Sequence, residues 1–216
     1  MATNEQASID QLALGAFGST LRGELVRPAD DSYDERRRAT TARNARARSL
    51  NRQAGPRGAM MDCLERLQAY LRQNQVPFQI RHHPLAYTAQ EVAASEHIPG
   101  KMMAKVVIVF AAGETIVLAL PAPYHVDLTR AATALGAREV RLANEAELAA
   151  LFQDCEVGAM PPFGHLYDLP VCVDRALAGD EVIVFRAGTH TDTMSLQYAD
   201  FERLVKPTVA EFAVHD

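Results

Sequence analysis

The chain has 216 residues, 48% hydrophobic and 23% charged, with a formal net charge of −5, an ordinary globular composition that suggests one domain or one domain plus an extension. No apolar run approaches the roughly 18–20 residues that a bilayer span needs, and the first residues lack the basic start and apolar core of a secretory signal. Cys63, Cys155 and Cys172 are odd in number and lack CxxC spacing, so neither a disulfide framework nor a zinc site is indicated and a reducing, cytoplasmic setting is expected.

The charge is unevenly placed. Residues 1–59 hold 10 Arg against 7 acids and residues 60–216 hold 12 Lys and Arg against 20 acids, so the two parts carry +3 and −8. From Arg36 to Arg57 there are eight Arg, no acid and, apart from Leu50, no large apolar residue. No core face can form there, and the expectation for residues 1–59 is a disordered, Arg-rich extension. It is either a basic arm for phosphate backbones or a solvated leader. Leu21 to Pro28 with Tyr33-Asp34-Glu35 weakly resembles the N-terminal edge of berberine-bridge-type flavin oxidases, but the rest of that fold is absent. The compact part is expected to span residues 60–216. Its acidity counts against nucleic-acid binding by bulk electrostatics.

From Met61 the pattern becomes regular. Leu64, Leu67, Tyr70 and Leu71 recur at helical spacing behind Asp62 as a cap. A short strand is expected over 76–80. Thr88 and Glu91 have the spacing of a capping box, opening a helix that should end before Pro99-Gly100. The β-rich runs 106–110 and 115–120 read as a hairpin. Asp127 begins a helix stopped by Gly136, a short strand follows at 140–142, and Asn144 with Glu147 opens another helix. Three more strands are expected at 171–173, 182–185 and 194–198, then a helix over 199–204 and a terminal strand over 208–212. This order predicts an α+β domain with a mixed, largely antiparallel sheet flanked by helices. Neither GxGxxG nor GxxxxGK[ST] follows a strand, so no nucleotide cofactor is expected.

Three features could hold chemistry. Gly158-Ala159-Met160-Pro161-Pro162-Phe163-Gly164 is a stiff loop with glycine ends, where backbone can approach a ligand closely. Taken alone it reads first as a tight turn with no chemistry. Lys105 heads the apolar run Val106 to Phe110; it either snorkels to water or presents a fixed cation to a phosphate or carbonyl oxygen. His190, in Gly188-Thr189-His190-Thr191, either hydrogen-bonds a substrate hydroxyl or caps a hairpin. The seven histidines form no HExxH or paired ligand spacing, so no metal site is expected. Cys172 lies in an apolar strand and reads as a small buried hydrophobe.

Taken together, Thr88-Ala89-Gln90-Glu91-Val92-Ala93, Ala104-Lys105-Val106-Val107, Asp127-Leu128, the Gly158 loop with its GxxxP element, Val173-Asp174 and Ala187-Gly188-Thr189-His190 resemble the YbaK/prolyl-tRNA-synthetase-associated domain family. The resemblance runs from about residue 61 to 213. It implies a barrel-like α+β fold and trans-editing, the hydrolysis of the ester that joins a wrong, small amino acid such as Ala, Cys or Ser to tRNA. It implies Lys105 and Gly158 as catalytic residues, and Thr88, Pro161, Pro162, Phe163 and His190 as substrate-binding ones. It further implies aminoacyl-tRNA as the partner, with a synthetase or elongation factor in attendance, and neither cofactor nor membrane. A non-catalytic module that binds tRNA ends or a protein is the alternative on the same fold.

Overall fold

The computed structural model describes residues 61–215; the Arg-rich extension expected over residues 1–59 lies outside them. Helix α1, Cys63–Gln73, is capped by Asp62, whose carboxylate accepts from Glu65 N at 2.7 Å. Its buried stripe is Cys63, Leu67 and Leu71, the one-face spacing expected of an amphipathic helix. Strand β1 forms at Gln79–His82, three residues later than the sequence suggests. Val76 N instead returns to Leu71 O at 3.0 Å, and Pro77 has no N–H to offer a ladder.

Helix α2, Ala89–Ser95, has the capping box in full: Thr88 Oγ1 accepts from Glu91 N at 3.1 Å, and Glu91 Oε2 accepts from Thr88 N at 3.0 Å. A 3-10 turn at Gly100–Met102 then leads into β2, Met103–Ala111, which pairs antiparallel with β3, Glu114–Pro121. The turn between them has positive φ at Ala112 (50°) and Gly113 (84°), the backbone of a two-residue hairpin whose twist matches its strands. Next come β4 (Tyr124–Val126), α3 (Leu128–Ala134), β5 (Val140–Leu142) and α4 (Glu145–Leu151). After the Gly158 loop, a 3-10 turn at Gly164–Tyr167 precedes β6, Val171–Asp174. Helix α5 (Arg175–Ala178), β7 (Val182–Arg186), β8 (Asp192–Gln197), α6 (Tyr198–Val205), β9 (Thr208–Ala210) and β10 (Ala213–His215) complete the order.

The main sheet runs β1-β8-β7-β2-β3-β6-β9, with β5 also pairing β2, and β4 pairs β10 separately. Hairpin neighbours are antiparallel, whereas β2–β7, β3–β6 and β6–β9 are parallel. The fold is therefore α+β with a mixed, mostly antiparallel sheet and flanking helices, as expected. The expected terminal strand over 208–212 is two strands. Phe212 is fully buried between them, and Asp174 Oδ2 accepts from the Phe212 and Ala213 amides at 2.9 and 2.8 Å, which turns the chain off the β9 line.

Two features of this sheet position the site. One edge of β2 is shared: β7 pairs with Met103 and Ala104, and β5 pairs with Val109 to Ala111. Lys105 stands where β7 leaves β2. Side chains alternate along a strand, so Met103, Lys105, Val107 and Val109 share one face. Met103 is buried in the cluster beneath α2, while Val107 and Val109 belong to the cluster formed with Leu118, Leu120, Ala131 and Phe212. Lys105 falls in the gap between the two apolar patches. The opposite face holds the largest core, with Leu67, Leu71, Phe152, Phe163, Phe185 and Phe201.

Candidate active site

Lys105 is half-buried, and its Nζ donates to Ala122 O at 3.0 Å, on the segment that leaves β3. The parallel register Met103–Val184 and Ala104–Phe185, continued by one residue, sets Arg186 beside Lys105 on the same face. Lys105 and Arg186 thus follow the last paired residues of β2 and β7, where the strands diverge. Arg186 is 7% exposed. Its Nη1 donates to Gly158 O at 3.1 Å and its Nη2 to Ala86 O at 3.0 Å. Burial lowers its pKa and the Glu91 carboxylate raises it; a guanidinium stays charged throughout. Sequence reasoning passed over Arg186 because it reads as the polar end of an apolar strand. A buried charge stapling two carbonyls from remote loops is visible only in three dimensions.

Gly158 is exposed and adopts φ +87°, a conformation that glycine alone takes without strain. Its N–H donates to Met160 Sδ at 3.2 Å, a weak acceptor that a carbonyl oxygen or oxyanion outcompetes. His190 is half-buried and supports the loop from the side: its Nε2 bonds Val157 O at 3.0 Å, which assigns the ring proton there, and its N–H donates to Glu156 Oε2 at 2.6 Å. The exposed Tyr87 ring lies 5.3 Å from the His190 ring. A backbone bond from Ala86 N to His190 O joins the same two segments.

The other sequence candidates are placed differently. Thr88 is exposed, and its hydroxyl is engaged in capping α2. Glu91 accepts from the Thr88 and Tyr87 amides, and those bonds hold its carboxyl below the usual carboxylate range. Pro161 and Pro162 are buried. Phe163 is fully buried, edge-on to Phe201 at 5.5 Å and tilted against Phe185 at 5.4 Å, so its ring supports the loop from within the core. Gly158, His190 and the segment before Thr88 thus meet around Arg186, Lys105 follows the β2–β7 pairing and bonds Ala122 O instead, and Phe163 lies in the core. A cavity of about 550 Å³ lies elsewhere, between Phe78, Arg81, Glu96, Ile98, Val184 and Thr193, and none of the sequence candidates lines it.

The site is thus a glycine N–H on a loop braced by a buried guanidinium and by His190. Residues 83–204, more than half of the chain, match the aminoacyl-tRNA editing domain family, and the chain belongs to that family. Aminoacyl-tRNA editing is its functional class. The fold is similar to that of a provisionally assigned trans-editing enzyme for prolyl tRNA synthetase, with 20% identity and a TM-score of 0.63 over 72% of this chain and 99% of that one. It is equally similar to a scaffold protein from computational epitope grafting, with 21% identity and a TM-score of 0.64 over 73% of this chain and all of the other. Among curated protein sequences none is a match. No described helix is long and apolar enough to cross a membrane.

Proposed function

We propose that the chain hydrolyses mischarged aminoacyl-tRNA in trans, releasing a small amino acid such as Ala, Cys or Ser. The observation that supports this reading is the Arg186 staple: it fixes the Gly158 carbonyl and so the residue whose N–H is held only by a thioether. Water adds to the aminoacyl carbonyl, the Gly158 N–H stabilises the developing oxyanion, and the ester C–O bond breaks with the proton going to the ribose oxygen. Lys105 engages the terminal phosphate or the carbonyl, so the substrate is held and polarised at once. Pro161 and Pro162 stiffen the loop, and a stiff wall suits selection by size, the discrimination hardest to obtain for a single methylene. Thr88 and His190 border the pocket, Thr88 through the cap that fixes Tyr87 and His190 through Val157.

Residues 60–216 are the catalytic domain in this reading. Residues 1–59, or a partner such as a synthetase or elongation factor, supply the tRNA affinity that the acidic domain lacks, in a cytoplasmic setting. Purified protein incubated with tRNAs charged with alanine, cysteine, serine or proline tests it. Release of one amino acid, abolished in Lys105→Ala, is the expected result. Retained tRNA binding with no release from any of the four would establish the non-catalytic module instead. Deleting residues 1–59 should lower tRNA affinity and flatten its salt dependence; an unchanged slope removes the basic arm from the account.

A further inference from the structure

Behind the Gly158 loop lies a polar cluster that the chemistry above does not use. Cys63 opens the 11-residue helix α1, and its N–H donates at 3.1 Å to the carbonyl of Asp154, the residue before Cys155. The two Sγ atoms and an Asp154 carboxylate oxygen all lie within 4.8 Å of one another. One hydroxyl touches both sulfurs: Tyr167 Oη is 3.4 Å from Cys63 Sγ and 3.0 Å from Cys155 Sγ. Tyr167 donates onward to Asp154 Oδ1 at 3.1 Å, and Arg66 Nη2 pairs with Asp154 Oδ2 at 2.8 Å. The Arg66 guanidinium lies 4.2 Å above the Tyr167 ring.

This surrounding selects among the occupants two thiols and a carboxylate could have. A divalent cation would sit against Arg66, which already neutralises Asp154. At Cys63 the start of α1 and the Tyr167 hydroxyl favour a thiolate, while burial and the Asp154 carboxylate oppose it. The hydrogen bond from Cys155 holds the Cys63 thiol below its ordinary range, and the same contact pushes Cys155 up. Of the two, Cys63 stands at the helix start and is the nucleophile, and Cys155 is its partner thiol.

We propose that Cys63 and Cys155 form a redox modification site that a hydroperoxide closes to a reversible intramolecular disulfide. The Cys63 thiolate attacks the peroxide oxygen, the O–O bond breaks, and the departing hydroxide or alkoxide takes a proton. Cys155 sulfur then attacks the sulfenic sulfur of Cys63, the S–O bond breaks, and water leaves with the thiol proton. Two thiols lose two electrons in all, and one peroxide is reduced. The crosslink ties α1 to the loop leading to Gly158. It also bears on Gly188, where an added Cβ would meet Cys63 Cβ at 2.5 Å. Gly188 O accepts from Glu156 N at 2.8 Å, and Glu156 holds the His190 amide, so the modified pair sits directly beneath the turn that braces the candidate pocket.

The test uses the full, reduced protein treated with hydrogen peroxide and mapped as peptides without reductant. The expected product has lost two hydrogens, shows a linked Cys63–Cys155 peptide, and returns to free thiols with dithiothreitol. Cys172 is the internal control: it is as buried as Cys63, at 2% against 3% exposed, but burial pushes its thiol up to about 12, and it should remain reduced. Cys155→Ser should stall at a sulfenic acid on Cys63 that dimedone traps; should that variant not fold, a brief peroxide pulse on the native chain with dimedone present reads the same intermediate. Three free thiols after peroxide, over-oxidation of one sulfur without linkage, or a bond involving Cys172 or a second chain overturns the proposal. The thiol readout needs no tRNA, so its failure leaves the deacylase reading untouched, and the converse also holds.

Discussion

Arg186 Nη1 donates to Gly158 O at 3.1 Å while its Nη2 donates to Ala86 O at 3.0 Å, so one buried guanidinium holds together two loops that meet nowhere in the sequence. Gly158 and Ala86 are presented to each other by a fork of fixed geometry, which is the property that separates arginine from lysine. The consequence is specific. Arg186→Leu removes two charge-assisted hydrogen bonds and should cost about 2–4 kcal/mol of stability in denaturant titration. Ester hydrolysis should fall by about 100-fold through misplacement of the Gly158 N–H. Arg186→Lys keeps the charge but cannot fork to both carbonyls as Arg does, and should recover stability more than rate. Equal recovery of both would mean that charge alone matters.

Gly158→Ala separates backbone strain from crowding. Its added Cβ would lie 3.7 Å from His190 Cε1, an ordinary contact, whereas φ of +87° disfavours any side chain. The expected loss is about 1–2 kcal/mol, small enough for the protein to fold. Activity on charged tRNA should drop by more than that stability loss alone accounts for, because the loop relaxes by moving its N–H. Full activity in a folded Gly158→Ala chain would remove the N–H from the mechanism.

Asp174 is 4% exposed and accepts three amides, from Ala176, Phe212 and Ala213. Asp174→Ala leaves three amides without their acceptor, that of Phe212 buried, and should cost about 2 kcal/mol or more. The loss should appear first at the C-terminal end, as fast amide exchange over residues 208–215. Asp174→Asn retains one acceptor oxygen and should lie between. Uniform exchange across the sheet would mean that the tail is held by Phe212 packing instead.

The Arg141–Glu147 pair, with N···O distances of 2.8 and 2.9 Å, gives a pH signature on the surface. The Arg141 hydrogen bonds, and then the Asn144 amide, lower the Glu147 carboxyl from 4.5 to about 2. A carboxyl depressed in the folded state stabilises it fully above its unfolded value. That contribution is lost as pH falls from about 4.5 through about 2. Glu147→Gln should therefore lower stability slightly at neutral pH, flatten the acid limb of the stability curve in this window and converge with the native chain near pH 2, and salt should shrink the difference.

Much of the frame was legible in the residues. Thr88 with Glu91, Asn144 with Glu147, and Asp62 and Asp127 as caps carry local signals, since a cap is decided within one turn of helix. The long β2–β3 hairpin was legible for the same reason, with Ala112-Gly113 as its turn. Strand ends were less so: β1 slipped past Pro77, and the last strand divided where the Asp174 carboxylate claimed two amides of the tail. Lys105 and the Gly158 loop stood out because a lone cation before an apolar run and a double proline between glycines are unusual combinations. Phe163 looked like pocket lining through its neighbours in that loop, yet it is fully buried among Phe185, Phe201 and Tyr70, since sequence adjacency does not say which way a ring turns.

By itself the sequence determined the class of fold, the caps, the central hairpin and the two segments on which the candidate site is built. These are local matters of periodicity, capping and turn chemistry, settled over a few residues. Only the tertiary structure decided that β7 leaves β2 at Lys105, that Arg186 rather than a nearby residue links Gly158 to Ala86, and that Cys63 meets Cys155 beneath them. Those contacts join segments far apart along the chain. They exist because parallel pairing and burial of the aromatic core bring the segments together, and no short stretch of residues encodes that meeting.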